Sequence, residues 1–434
     1  MGFEAVFTAV AVLGLMLAYL TVGIWIFAAL LLVGVTSLHL LAGFSIDRIG
    51  FIMQSVTWSA ATRWELSAIP MFVWMGELMF RTDISRRLFN GLAPLVSLLP
   101  GRLLHVNILG CTLFAAVSGS SAATTATVGK ITTGELLKRG YARDISIGSL
   151  AGAGSLGLMI PPSVVLIIYG VLGEVSITRL FLAGVVPGLM IAAIYSLYIM
   201  LVAIRREGTT PVDEPRYAAR DYVAGLITLA PVIVLIGSVL GVLYSGIATP
   251  SEAGAVGVGV SLAVIVLTGQ FSVRVIAESV QAAVVTSAML CSILIAASFM
   301  STAMGYLHIP ATIAGAIGSL DLGPYGLIAM LALFYLMLGM FLEGTSITVM
   351  TLPITLPLAV GAGWDPVWFG IFLVVMVEMA QITPPVGFNL FILQSQTGES
   401  IVRVARASFP FFLLMCLATV LLVVFPEIAL WLTR

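Results

Sequence analysis

Apolar runs separated by short polar breaks make up most of the chain, and they read as a succession of helices. Ala5–Leu20 and Ile24–Leu41 predict spanning helices, a bilayer needing roughly 20 mainly apolar residues. Residues 44–58 differ: Ile46, Ile49, Met53 and Val56 share one face, with Asp47, Arg48, Gln54 and Ser55 elsewhere. That spacing predicts a helix lying in the membrane interface. Ala68–Phe80 is apolar apart from Glu77. A hydroxyl-rich run follows, Phe114–Gly129, FAAVSGSSAATTATVG, within a segment of about 103–130. Residues 145–173 are apolar but broken by Gly154, Gly157, Pro161 and Pro162, and Phe181–Ile204 spans again. Residues 205–221, RREGTTPVDEPRYAARD, are the most polar stretch and read as a linker.

The second half, 222–434, then replays the first, 1–204. Gly344 follows Gly119 by 225 residues, and Pro384 follows Pro161 by 223. Phe271-Ser272-Val273-Arg274 echoes Phe44-Ser45-Ile46-Asp47-Arg48 at 227. Repeat 2 is therefore expected to hold an interfacial helix at 271–287, a hairpin around 325–357 and a broken helix at 367–396. Each hydroxyl-rich run is too punctuated for one clean span, and predicts the tip of a re-entrant hairpin. Each Pro-Pro predicts a break, since consecutive prolines remove two amide donors and disfavour helix just before them.

Composition identifies the solvent. Of 434 residues, 60% are hydrophobic and 9% charged, with mean hydropathy +1.15; soluble domains carry roughly 25% charge. The expected fold is an all-α polytopic membrane protein of about a dozen transmembrane helices. Continuous apolar runs disfavour a β-barrel. The net charge of −1 leaves no basic footprint for nucleic acid. Cys111, Cys291 and Cys416 show neither metal spacing nor a disulfide framework. The first apolar run lacks the basic start of a signal peptide.

Charge also sets orientation. Residues 63–143 carry nine Lys or Arg, at 63, 81, 86, 87, 102, 130, 138, 139 and 143, whereas 275–402 carries none. Cytoplasmic loops gather Lys and Arg. The loops flanking the first hydroxyl-rich run are thus expected in the cytoplasm, with Asp321 and Asp365 outside. Two copies of one unit in opposite orientations make an inverted repeat, a mark of secondary transporters.

Irregular backbone at membrane depth is tolerated only within protein or around a cavity. Carbonyls freed at the breaks, with the tip hydroxyls, compose an all-oxygen site suited to Na+, and helix N-termini suit an anionic substrate group. The expected Na+ set pairs Ser118, Gly119, Ser120 and Ser121 with Gly157 and Pro161. Its counterpart pairs Gly344, Thr345 and Ser346 with Thr383 and Pro384, giving at least two sites. Ser121, Ser346, Pro162, Pro385 and Glu343 are candidates for substrate. The competing explanation is that these small residues only pack helices together. Glu378 is a second acid in apolar context. His39, His105 and His308 read as interface residues. No nucleophile–base pair or phosphate loop appears, so neither an enzyme nor ATP use is expected.

At these residues the chain resembles the large membrane subunit of tripartite ATP-independent periplasmic (TRAP) transporters. FAAVSGSSAAT, GLMIPPS, GEVSITRLFLAGVVPGL, LGMFLEGTSITVMTLPI and QITPPVGFNL carry the likeness, which covers nearly the whole chain. It implies an ion-transporter-superfamily-like fold and Na+-coupled uptake of a small organic acid or related solute by an elevator motion. It also implies a bacterial inner-membrane location and two partners: a small four-helix membrane subunit and a periplasmic binding protein. With no helices ahead of Met1–Leu20, the small subunit is expected as a separate chain. A single-component Na+-coupled carboxylate transporter is the alternative.

Overall fold

The computed structural model describes residues 3–211, 217–318, 323–340, 342–384 and 387–434. Asp321 and Pro385 lie outside the described residues. The rest is all-helical, with no strand among the described residues. Before the linker come α1 (Phe3–Thr21), α2 (Ile26–Leu40), α3 (Ile46–Ala61), α4 (Ala68–Phe80), α5 (Ile84–Val96), α6 (Leu104–Ser118), α7 (Ser121–Lys138), α8 (Arg143–Gly154), α9 (Val164–Gly173) and α10 (Ile177–Arg205). After it come α11 (Ala219–Tyr244), α12 (Pro250–Leu267), α13 (Val273–Tyr306), α14 (Ile309–Gly318), α15 (Gly323–Gly339), α16 (Gly344–Gly361), α17 (Pro366–Gln381), α18 (Phe388–Thr397), α19 (Ile401–Val424) and α20 (Glu427–Leu430).

Helix starts recur at matched positions in the two halves. Helices α7 and α16 begin at 121 and 344, α8 and α17 at 143 and 366, α9 and α18 at 164 and 388, and α10 and α19 at 177 and 401. Each start has its own cause. Asp365 caps α17 by accepting from the Val367 and Trp368 amides at 2.7 and 3.1 Å, and Thr249 with Glu252 forms a capping box on α12.

Six described helices, α10, α11, α12, α13, α16 and α19, are long and apolar enough to cross a membrane. Helices α2, α6, α9, α15 and α17 are apolar but have only 10–17 residues. A ten-residue helix is about 15 Å long, half of a roughly 30 Å hydrocarbon core. The hairpin arms and half-helices supply four of those five.

One expected boundary is placed differently. The segment 271–287 is the opening of α13, a single 34-residue helix, whereas α3 is separated from α4 by a turn at Thr62-Arg63 and a short 3-10 helix, Trp64–Ser67. No Gly, Pro or charge falls between Gln281 and Met304 to interrupt α13. His105, expected at an interface, is instead buried: its ring joins the Pro100 carbonyl at 2.8 Å and the Ser196 hydroxyl at 2.7 Å.

Polar contacts gather the chain at two opposite ends. At one, Arg81 pairs with Glu278 at 3.0 Å, Arg143 with Glu399 at 2.9 Å and Arg403 with Asp144 at 3.0 Å. The Leu103 amide there donates to the Tyr141 hydroxyl at 3.2 Å, closing the open end of the α6–α7 hairpin. At the other end Arg63 pairs with Glu174 at 2.9 Å, and the Tyr169 hydroxyl donates to the Pro366 carbonyl at 2.6 Å. Trp364 donates to the Pro324 carbonyl at 3.3 Å there, at the open end of the α15–α16 hairpin. The two hairpins thus enter the bundle from opposite ends. So do the two broken helices: α8 begins beside the end of α18, and α17 begins beside the end of α9. Arg63, counted with the basic loops around hairpin one, sits at the other end from Arg143.

Candidate functional site: two hairpin tips on two helix breaks

Local chemistry shapes tip one. Gly119 ends α6 at φ 57°, ψ 20°, a left-handed conformation glycine adopts without a Cβ clash. Ser120 then caps α7, its Oγ accepting from the Ala123 amide at 3.3 Å. That aims the positive end of the α7 dipole past the tip. The facing break is a short 3-10 helix, Ser155–Leu158, followed by Pro161 and Pro162; Ser163 then caps α9 by accepting from the Leu166 amide at 3.5 Å.

Tip and break meet backbone to backbone. A Cβ on Gly119 would lie 2.8 Å from the Pro162 carbonyl oxygen and 3.4 Å from the Val164 nitrogen. One on Gly157 would fall onto the Ser120 and Ser121 backbone. Gly157→Ala is therefore expected to push tip one off its break and lower stability by about 1–3 kcal/mol, the usual range for overpacking. Gly134→Ala, in open space on the same hairpin, is expected to be neutral or mildly stabilising. Thermal melts of the purified variants compare the two.

Tip two is built differently. Glu343 caps α16, its Oε2 accepting from the Thr345 amide at 3.1 Å and also from the Thr345 hydroxyl. The Glu343 side chain is exposed, while Gly344 and Ser346 are buried. A Cβ on Gly344 would press on Val377, and would lie 3.2 Å from Gln381 Nε2 and from Leu158 Cδ1. Tip two thus rests on the end of α17 and touches the first break as well. Thr383 returns its hydroxyl to the Met379 carbonyl at 2.7 Å. With Pro384 it lines a cleft of about 300 Å³ against Ala405, Arg406, Phe409 and Phe412 of α19. Pro161 lies at α10, 3.3 Å from where a Gly184 Cβ would stand. Of the expected ligand set, the tip residues and Gly157 come together closely; Pro161, Thr383 and Pro384 face neighbouring helices.

The halves also cross. Helix α7 packs on α18, and α16 packs on α9. Asn389 Nδ2 of α18 donates to Ser121 Oγ at 2.7 Å, and Ser121 Oγ donates to the Gly154 carbonyl at 2.9 Å. Gln396 Nε2 reaches the Ala126 carbonyl at 2.7 Å. In return Glu378 Oε1 accepts from the Leu158 amide at 2.5 Å. Sequence reasoning did not single out Asn389 or Gln396. Their signal was a set of three amides, Asn389, Gln394 and Gln396, in the run after the second Pro-Pro. Matching the halves passes over Asn389, because Val165 stands at the equivalent place.

Over residues 13–428 the chain matches the family described as tripartite ATP-independent periplasmic transporter, DctM component. It belongs to that family. The chain is 33% identical over 371 residues to the C4-dicarboxylate TRAP transporter large permease protein DctM of Pseudomonas aeruginosa, covering 84% of this chain and 85% of that one. It is 32% identical to the isethionate TRAP transporter permease protein DctMQ of Oleidesulfovibrio alaskensis, covering 92% of this chain and 62% of that one. Its fold resembles the Alcanivorax borkumensis YdaH transporter, with a TM-score of 0.59 at 15% identity over 88% of this chain and 89% of that one. Among TRAP large permeases, then, this is a multi-pass membrane transporter subunit.

Proposed function

We propose that this chain is the large membrane subunit of a Na+-coupled TRAP transporter in a bacterial inner membrane. It takes up a small anionic solute delivered by a periplasmic binding protein, beside a small membrane subunit. Its two halves act as inverted repeats, and the hairpins with the broken helices move as a unit in an elevator cycle. The observation that carries the reading is the seating of each hairpin tip on a helix break or half-helix end, with Gly119 on Pro162 and Gly344 on Val377 and Gln381. There the N-termini of α7 and α9 lie close to the Pro162 carbonyl in buried backbone. Carbonyl and hydroxyl oxygens suit a hard cation, and helix N-termini suit a carboxylate or sulfonate. The P. aeruginosa relative is named for C4-dicarboxylates and the O. alaskensis relative for isethionate, which supports a small organic anion as the solute class here.

Removing one tip hydroxyl tests the ion sites. Ser120→Gly keeps most of the capping strength that alanine would lose, and Thr345→Ala removes the second tip's oxygen. Loss of one such group in a buried site is worth about 1–3 kcal/mol, so the Na+ needed for half-maximal uptake is expected to rise roughly tenfold to hundredfold. Unchanged Na+ curves for both variants would leave the tips as packing elements.

A further inference from the structure

Glu378 is the only Asp or Glu that is buried among the described residues, at 1% exposure. It stands where the halves cross, four residues before Ile382 follows the end of α17. Its Oε1 accepts from the Leu158 amide, but its Oε2 has no hydrogen-bond partner. The ion pairs among the described residues all involve other acids. A bare carboxylate anion so placed is strongly unfavourable, and it is relieved by taking up a proton or by a bound cation.

Three oxygen-bearing side chains gather at the same crossing. The Gly157–Leu158 backbone that Glu378 holds lies against Ser121, whose hydroxyl donates to the Gly154 carbonyl while Asn389 Nδ2 donates to it. One lone pair of Ser121 Oγ is left without a protein donor. Asn389 is fully buried, and its Oδ1 is also unpartnered. So is the Oγ1 of Thr125, one turn along α7 and against Gly154. These three buried acceptors come from both halves of the chain. Hydroxyl, amide and carboxylate oxygens select hard cations, and the single negative charge is neutralised by one monovalent ion.

We propose that Glu378, Asn389, Ser121 and Thr125 form a Na+ site at the crossing of the two halves, additional to the tip–break sites. It rests on the Na+-coupled reading above. Through Ser121 it shares an oxygen with tip one, and through Glu378 it lies on the helix that leads into the second break. Na+ bound there ties α17 and α18 to α7, so filling one half favours filling the other.

The test uses the complete transporter, purified and reconstituted. Two readouts are taken against Na+, with choline as the control: thermal stabilisation and solute uptake. Glu378→Gln keeps an acceptor for the Leu158 amide but removes the charge. Thr125→Val keeps the shape and removes only an unpartnered oxygen. The Na+ needed for half-maximal stabilisation is expected to rise about tenfold in Glu378→Gln and severalfold in Thr125→Val, with a shallower Na+ dependence in both. A purely packing role predicts instead that Thr125→Val is neutral or stabilising with its Na+ curve unmoved. If Glu378→Gln does not fold, Thr125→Val decides alone. Shifted curves for Ser120→Gly and Thr345→Ala beside wild-type curves for these variants would overturn this site and leave the tip sites standing. A wild-type protein indifferent to Na+ would overturn both.

Discussion

Vesicles holding only this polypeptide are expected to take up solute roughly 5- to 150-fold more slowly than vesicles that also hold the small subunit and are supplied with the binding protein. That range is the usual size of coupling between two sites on one assembly. The reason lies in the tips. Gly119, Ser121, Gly344 and Ser346 are all buried. The larger polar cleft, about 530 Å³, lies at the far end of α9 between Arg63, Glu65 and Glu174. A solute reaching that end meets closed backbone unless a partner's docking favours an opened state, and a ligand shifts such an equilibrium only by its differential affinity for the two states. Uptake is measured with a Na+ gradient, with and without the two partners. Full Na+-driven uptake by the lone chain would promote the single-component carrier in place of the tripartite one.

Much of this architecture was legible because its signals are local. Gly119 and the serine after it write a helix end and a helix start into four residues, and Pro161-Pro162 writes a break into two. Glycine and Pro-Pro signals recur near 344 and 384, and helices start at the matched positions 121 and 344, and 164 and 388. Ser120 and Ser163 cap the first of each pair, however, while Glu343 and Gly387 precede the second. The contacts that join the halves were not legible. Asn389 and Ser121 are 268 positions apart, and Leu158 and Glu378 are 220 apart. Their meeting depends on which face of each helix turns toward the other half, and a uniformly apolar run does not specify a face. The same limit explains Arg63. Its neighbours along the chain, Thr62 and Trp64, do not assign it to an end, and only the Glu174 carboxylate and the Val171 carbonyl, at 2.9 and 2.7 Å, reveal the end to which it belongs. Glu378 could be flagged as an acid in an apolar run, but not as one that spans from the second broken helix to the first.

Impermeant maleimide applied to intact spheroplasts is expected to label Asp365→Cys and Glu174→Cys fully and to leave Lys138→Cys unlabelled until the membrane is opened. The background replaces Cys111, Cys291 and Cys416, which are free. Two independent lines lead to this pattern. Lys and Arg gather in cytoplasmic loops, and they crowd the loops at 81–87 and 138–143 while being absent from 275–402. Separately, internal contacts sort the same positions without reference to a membrane. Arg143 joins Glu399 at one end, and Tyr169 joins Pro366 at the other, so Asp365 and Glu174 share an end that Lys138 does not. Helix α10, with 29 residues, is long enough to separate those ends across a bilayer. The contrast is all-or-none because the reagent does not cross lipid. Labelling at 138 with protection at 365 and 174 would reverse the orientation and leave the opposed hairpins intact. Equal labelling at 138 and 365 would place both hairpins on one side and overturn the inverted arrangement, and with it a cycle that opens one tip to each compartment in turn.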